Sequence, residues 1–205
     1  MADETPAAPQ RVTTRVTTEE ELRAATLGVF QPHNSTVLIV DYDADWPRQF
    51  AVEASKIRAA LGERALLLEH VGSTSAPGLA AKPILDILLV VADSADEPSY
   101  VPDLEQAGYV LRTREPEWFE HRVLKGVEPA VNLHVFSPGC PETERMLLMR
   151  DWLRTHDDDR ELYEKTKREL AQRTWKYVQN YADAKTAVVE AILARARSNS
   201  PSTQP

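Results

Sequence analysis

Glu69-His70-Val71-Gly72-Ser73-Thr74-Ser75-Ala76-Pro77-Gly78-Leu79-Ala80-Ala81-Lys82-Pro83-Ile84-Leu85-Asp86 is the stretch on which the reading of the chain turns. An apolar run, Ala65 to Leu68, leads into it, and another, Ile87 to Val91, follows it. The pattern is strand, small-residue loop, strand. Gly72 and Gly78 permit positive φ or the close approach of a ligand to the backbone. Ser73, Thr74 and Ser75 add hydroxyl donors beside backbone N–H groups, and such a turn cradles a phosphate when a helix N-terminus or a nest follows. Lys82 supplies a cation, and Asp86 supplies a hard oxygen ligand for a divalent metal. Gly, Ser and Pro alone would make this a plain surface turn between core strands. The hydroxyls, Lys82 and Asp86 together point to a site.

On the N-terminal side, Val37-Leu38-Ile39-Val40 reads as a strand. Asp41 to Pro47 then opens a helix, with Asp45 as its cap and Pro47 in the first turn. Phe50, Ala54, Ile57 and Leu61 fall at helical spacing, and Gly62 ends the helix. On the C-terminal side, Tyr100 to Ala107 reads as a short helix, Tyr109 to Leu111 as a strand and Arg112 to Glu117 as a charged loop. Trp118 to Leu124 alternates, placing Phe119, His121 and Val123 on one face and Glu120 and Arg122 on the other. In Val131 to Phe136, Asn132, His134 and Phe136 share a face. The expected class is α/β (α+β): a mixed sheet with helices packed on it and a C-terminal helical segment from Pro141 onward. Breaks in that segment are expected at His156-Asp157-Asp158 and near Thr174. Residues 1–18 read as a disordered arm and 198–205 as a disordered tail, both by composition. Thr18 with Glu21 forms a capping box at the head of a short helix in an N-terminal extension, 19–36. The main domain is 37–197.

The chain has 205 residues and a formal net charge of −8, which argues against a nonspecific nucleic-acid binder. It leaves room for a small anionic substrate in a locally basic pocket. Cys140 is the single cysteine, so an intrachain disulfide and a zinc site built on Cys are excluded. No apolar run is long enough to span a membrane, and the first residues lack the features of a signal peptide. The expectation is a soluble, cytoplasmic protein.

Val71-Gly72-Ser73, a spacer, then Asp86-Ile87-Leu88-Leu89 resembles the signature of the GrpB family, a branch of the nucleotidyltransferase fold. The superfamily pattern is an apolar residue, Gly, Gly or Ser, a spacer, and Asp-apolar-(Asp/Glu)-apolar. Leu88 stands where the second acidic residue of an active transferase stands. Tyr42-x-x-x-Trp46-Pro47, Arg150-Asp151-Trp152-Leu153-Arg154, Tyr163 with Lys167, and the histidines His70, His121 and His134 also resemble family features. The resemblance runs from about Val37 to about Arg197.

The resemblance implies a nucleoside triphosphate, a divalent metal (Mg²⁺ or Mn²⁺) and a small-molecule acceptor. Nucleotidyl transfer commonly uses two metal ions held by carboxylates. Asp86 is one such ligand; with Leu88 at the second position, Glu69, His134 and His121 are the candidates to complete the shell. Imidazole suits transition metals better than Mg²⁺, so such a shell favours Mn²⁺ or Zn²⁺. His134 is alternatively a general base toward the acceptor, with Asp86 as its catalytic partner. Gly72, Ser73, Thr74, Lys82, Arg122 and Arg150 are the candidate nucleotide-binding residues. A transferase that retains its chemistry is the first reading. A degenerate scaffold that only binds nucleotide or metabolite is the second, and a folding or interaction module the third.

Overall fold

The computed structural model describes residues 17–199. Five strands form one mixed sheet in the order β1-β2-β5-β4-β3. They are β1 (Leu67–Val71), β2 (Leu85–Val90), β3 (Val110–Glu115), β4 (His121–Gly126) and β5 (Val131–Phe136). β2 and β5 pair in parallel, and the other pairings are antiparallel.

Alternation gives the sheet two chemically different faces. Leu85, Ile87 and Leu89 of β2 lie beside Val131, Leu133 and Val135 of β5, and all six are buried. Helix α2 (Trp46–Leu61) and helix α3 (Val101–Gln106) cover this face. α2 contributes Trp46, Ala54, Ile57 and Leu61 to the same apolar cluster, at the spacing of one helical stripe. Burial of such side chains is worth roughly 1.5–3 kcal/mol each, which makes this layer the main source of stability. The opposite face carries Glu69, Asp86, Asn132, His134, His121 and Lys125. Part of it is closed by α4 (Pro141–Thr155), where Val71, Leu88, Phe136 and Cys140 pack with Met146 and Leu147. The rest lies open and holds the polar groups.

α5 (Asp157–Ala171), α6 (Val178–Asp183) and α7 (Thr186–Asn199) complete the chain. Leu153 of α4, Tyr163 of α5 and Ile192 of α7 enclose Ala76 and Leu79 of the loop between β1 and β2. That loop is therefore held by helices from the far end of the sequence. α1 (Glu19–Ala25) starts with the expected capping box of Thr18 and Glu21. Thr26 bridges Thr113 of β3, and Lys176 pairs with Glu19 at 2.5 Å.

Several local expectations are corrected. Val37 to Val40 makes one bridge, Val40 with Ala81, instead of a strand. Its backbone is divided between partners: Val37 N–H donates to Ala171 C=O at 3.2 Å, and Val40 N–H to Ala81 C=O at 2.9 Å. Asp45 makes no capping hydrogen bond, because its carboxylate binds Arg48 and Gln49. The charged segment from Arg112 is not a loop; β3 runs through it to Glu115, with an irregularity between Leu111 and Thr113. Trp118 to Glu120 is a turn rather than strand, with positive φ at Phe119 and Glu120. α7 continues through Ser198 and Asn199. The remainder of the expected tail, and the expected arm up to residue 16, lie outside the described residues.

Candidate active site

The site is built where β1 ends and β2 and β5 begin. Asp86 is paired with Val71 on one side and with Asn132 on the other. The Asn132 amide donates from Nδ2 to Asp86 Oδ1 at 2.7 Å. The Lys125 ammonium donates to Asn132 Oδ1 from the next strand. A cation on the amide oxygen and a carboxylate on the amide nitrogen fix the orientation of Asn132.

Beyond β1 the chain turns over this carboxylate. Gly72 takes φ +68, and a Cβ there would lie 2.5 Å from Asp86 Oδ2. Glycine is required at this point for both conformation and space. The next residues, Ser73 to Ser75, form one short 3-10 turn. Ser75 Oγ donates back to Gly72 C=O at 2.6 Å, and Arg154 Nε donates to Ser75 C=O at 2.9 Å. Thr74 is buried, its hydroxyl 2.9 Å from His70 Nε2. Thr74 and Ser75 therefore brace the turn from within.

Four side chains form a continuous run along the open face. Glu115 Oε2 lies 2.7 Å from His121 Nδ1, and His121 Nε2 lies 3.1 Å from His134 Nδ1. His134 Nε2 lies 3.5 Å from Asp86 Oδ1. His121 is buried, with Phe136 stacked on one side and Trp118 edge-on. The other end is open, with the His134 and Asp86 side chains 18% and 32% exposed. Each of the three links needs one proton, and two neutral imidazoles carry two. With both carboxylates ionised, protons on the two shorter links leave His134 Nε2 as a bare lone pair at the open end. One further proton at Nε2 completes the run and donates to Asp86.

Electrostatics keeps the Asp86 carboxylate ionised. Burial pushes the Asp86 carboxyl up, but His134, Asn132 and Lys82 outweigh it and hold the group at about 2. Burial pushes His121 down, with Glu115 opposing. Burial also lowers Lys82 to about 8, aided by Lys185 and Lys125 and opposed by Asp86. Lys125 is lowered by burial, again with Asp86 opposing.

The structure brings together Gly72, Asp86, His134 and His121, with Lys82 in the electrostatic reach of Asp86. It places other candidates elsewhere. Arg122 projects from the opposite face of β4, where it is buried and paired with Glu97 at 2.6 Å and Glu120 at 3.1 Å. Glu69 is on the site face but is held by Arg150 at 2.7 Å, and Arg150 also binds Asp151. Thr74 is spent on His70. Among the described residues, no group of three His, Cys, Asp or Glu side chains is arranged to hold a metal ion. Asp86 and His134 face each other, but Glu69 is held by Arg150 and no third donor joins them, so these side chains do not form the shell expected for Mg²⁺ or Mn²⁺. Asn132 and Glu115 were not among the candidates. Alternation places Asn132 on the His134 face; Glu115 is hidden by the irregularity in β3.

Fold and site together define an α/β protein with an aspartate and a histidine facing each other from adjacent parallel strands on an open sheet face. The GrpB protein family model matches residues 36–195, and the chain belongs to this family. The UPF0157 protein BH1888 of Halalkalibacterium halodurans is 58% identical over 179 residues, covering 87% of this chain and 92% of that protein. The solved structure of the conserved protein GrpB from Enterococcus faecalis superposes with a TM-score of 0.67 at 30% identity, covering 78% of this chain and 96% of that one. A protein named dephospho-CoA kinase in Mycolicibacterium paratuberculosis is 30% identical over 176 residues; the match covers 73% of this chain and 43% of that protein.

No described helix is long and apolar enough to cross a membrane.

Proposed function

We propose that the protein binds a nucleoside triphosphate beside Asp86 and transfers its nucleotidyl group to a small-molecule acceptor. The observation that carries this reading is the run Glu115–His121–His134–Asp86, buried at one end and open at the other. His134 Nε2 takes the proton of the acceptor hydroxyl or amine as that atom bonds to the α-phosphorus. The α–β phosphoanhydride bond breaks, and pyrophosphate leaves with its electron pair. The proton stays on His134, where Asp86 stabilises the imidazolium and His121 keeps the ring in place. Lys82 and Lys125 supply positive charge for the phosphates, and the Gly72-Ser73 turn gives them access to the backbone. No step is assigned to a metal ion, because the donor set does not form a shell.

A second reading is favoured by one observation. Leu88 is 0% exposed and sealed among Val71, Phe136 and Cys140, so a second carboxylate is structurally replaced by core. On this reading the scaffold binds a nucleotide without transferring it.

Calorimetry with the common nucleoside triphosphates, paired with a pyrophosphate-release assay over a panel of acceptors, separates the two. Dephospho-CoA belongs in the panel because some relatives are named for a kinase of it. Binding with pyrophosphate release that is lost in His134→Ala supports transfer. Binding without release supports the second reading. No binding of any triphosphate overturns both.

A further inference from the structure

We propose that Lys82, Lys167 and Lys185, with the Tyr181 hydroxyl, form an anion site that grips the phosphate chain of the ligand entering the Asp86 cleft. This rests on the reading of a phosphate-bearing ligand at Asp86. The cluster lies on segments that the sheet does not unite. Lys82 is in the loop before β2, Lys167 is on α5, Tyr181 is on α6, and Lys185 stands between α6 and α7. The Lys82 and Lys185 ammonium groups lie 5.8 Å and 4.8 Å from the centre of the Tyr181 ring. Lys167 is 2% exposed, donates to Ala80 C=O two residues before Lys82, and sits 4.7 Å from the Tyr163 ring.

The charges of this group are incompletely matched. Among the described residues, neither the Lys82 nor the Lys185 ammonium group has a hydrogen bond or an ion pair; each meets only the Tyr181 ring. Asp86 faces Lys82 and Glu164 faces Lys167, but Glu164 accepts from Ala80 N–H at 3.0 Å and is paired with Arg168 at 2.9 Å. Lys82 and Lys167 are each opposed by the charge of Lys185, and burial and this repulsion lower Lys167 to about 7. Tyr181 is 1% exposed, yet its hydroxyl has no hydrogen-bond partner. A buried hydroxyl without a partner is rare and costs roughly 1–3 kcal/mol. One ligand resolves both features: a group with several negative charges and several acceptor oxygens, such as di- or triphosphate. Lys82 lies four residues before Asp86 in sequence, so a phosphate chain gripped here enters the cleft from the loop side.

The test is calorimetry with sodium tripolyphosphate in chelator-containing, low-salt buffer. Wild-type protein is expected to bind it, and Lys185→Ala to bind about tenfold more weakly, the scale of one charge-assisted hydrogen bond. Tyr181→Phe removes only the orphan hydroxyl. It is expected to weaken tripolyphosphate binding while leaving the anion-free melting temperature unchanged or raised, a combination that a purely structural tyrosine would not give. Asp86→Asn is expected to retain tripolyphosphate binding. Absence of wild-type binding, or equal affinity in Lys185→Ala, overturns the proposal. Tripolyphosphate binding in a protein that ignores every nucleotide supports the anion site with a non-nucleotide source and removes only the transfer reading. Nucleotide turnover that is indifferent to Lys185→Ala does the reverse.

Discussion

Gly72 lies directly over Asp86: a Cβ at residue 72 would meet the Asp86 carboxylate at 2.5 Å. The turn and the acid thus share one space, and neither can be altered alone. Gly72→Ala is expected to cost about 1–3 kcal/mol through positive φ and the steric conflict. It should also displace the Asp86 carboxylate from Asn132 and abolish nucleotide binding. A melting curve and a calorimetric titration check both, and an Ala variant that melts and binds like wild type would contradict the contact.

Asp86→Asn and His134→Ala should each abolish pyrophosphate release while the protein stays folded, since both side chains are partly exposed. His121→Phe should leave the pocket filled but remove the partner that orients His134. Its expected signature is a fall in kcat with KM little changed, together with an altered pH–rate profile. A kcat equal to wild type would remove His121 from the relay.

Restoring the absent acid will not restore a metal site. Leu88→Asp puts a carboxylate among Val71, Phe136 and Cys140 and should destabilise the protein by roughly 3–5 kcal/mol, as an unpaired buried charge does. Leu88→Ala, which leaves only a cavity, should cost about 2–5 kcal/mol. Thermal melts with and without Mn²⁺ check this. A stable Leu88→Asp protein whose melting temperature rises with Mn²⁺ would show that the position still accepts a ligand.

His70 sets part of the acid stability. It is buried against Phe50 and Thr74, and burial lowers it from 6.5 to about 4, helped by Arg154 and Arg150 against Asp86. The unfolded chain therefore binds more protons between these values, and stability falls as pH drops from about 6.5 towards 4, by about 3 kcal/mol. His70→Phe should flatten that part of the profile measured by urea unfolding. An unchanged slope would mean that His70 does not titrate in this way.

The sheet was legible where apolar alternation is regular. Val131 to Phe136 places Asn132, His134 and Phe136 together, and β5 does so in the structure. The separation of His121 from Arg122 was equally present in that pattern; Arg122 lies on the opposite face because successive strand residues point apart. Glu115 was hidden because the irregularity after Leu111 shifts the alternation, so a strand looked like a charged loop. Val37 to Val40 had the composition of a strand, but its backbone groups bond to two different elements. Sequence also could not show that Arg150 would occupy Glu69, or that Lys167 would reach the loop before Lys82. Both contacts join residues about eighty positions apart.

The parallel pairing of β2 with β5 fixes when the site around Asp86 can assemble during synthesis. Asp86 emerges from the ribosome early, but its hydrogen-bond partner Asn132 follows 46 residues later, and the Lys167 contact to Ala80 spans 87. The nascent chain thus carries an isolated carboxylate with no imidazole beside it until the innermost strand, last of the five in sequence, is available. The polar cluster around Asp86 is complete only once translation has delivered the whole sheet, and the Lys167 contact to the loop comes later still, with the final helices.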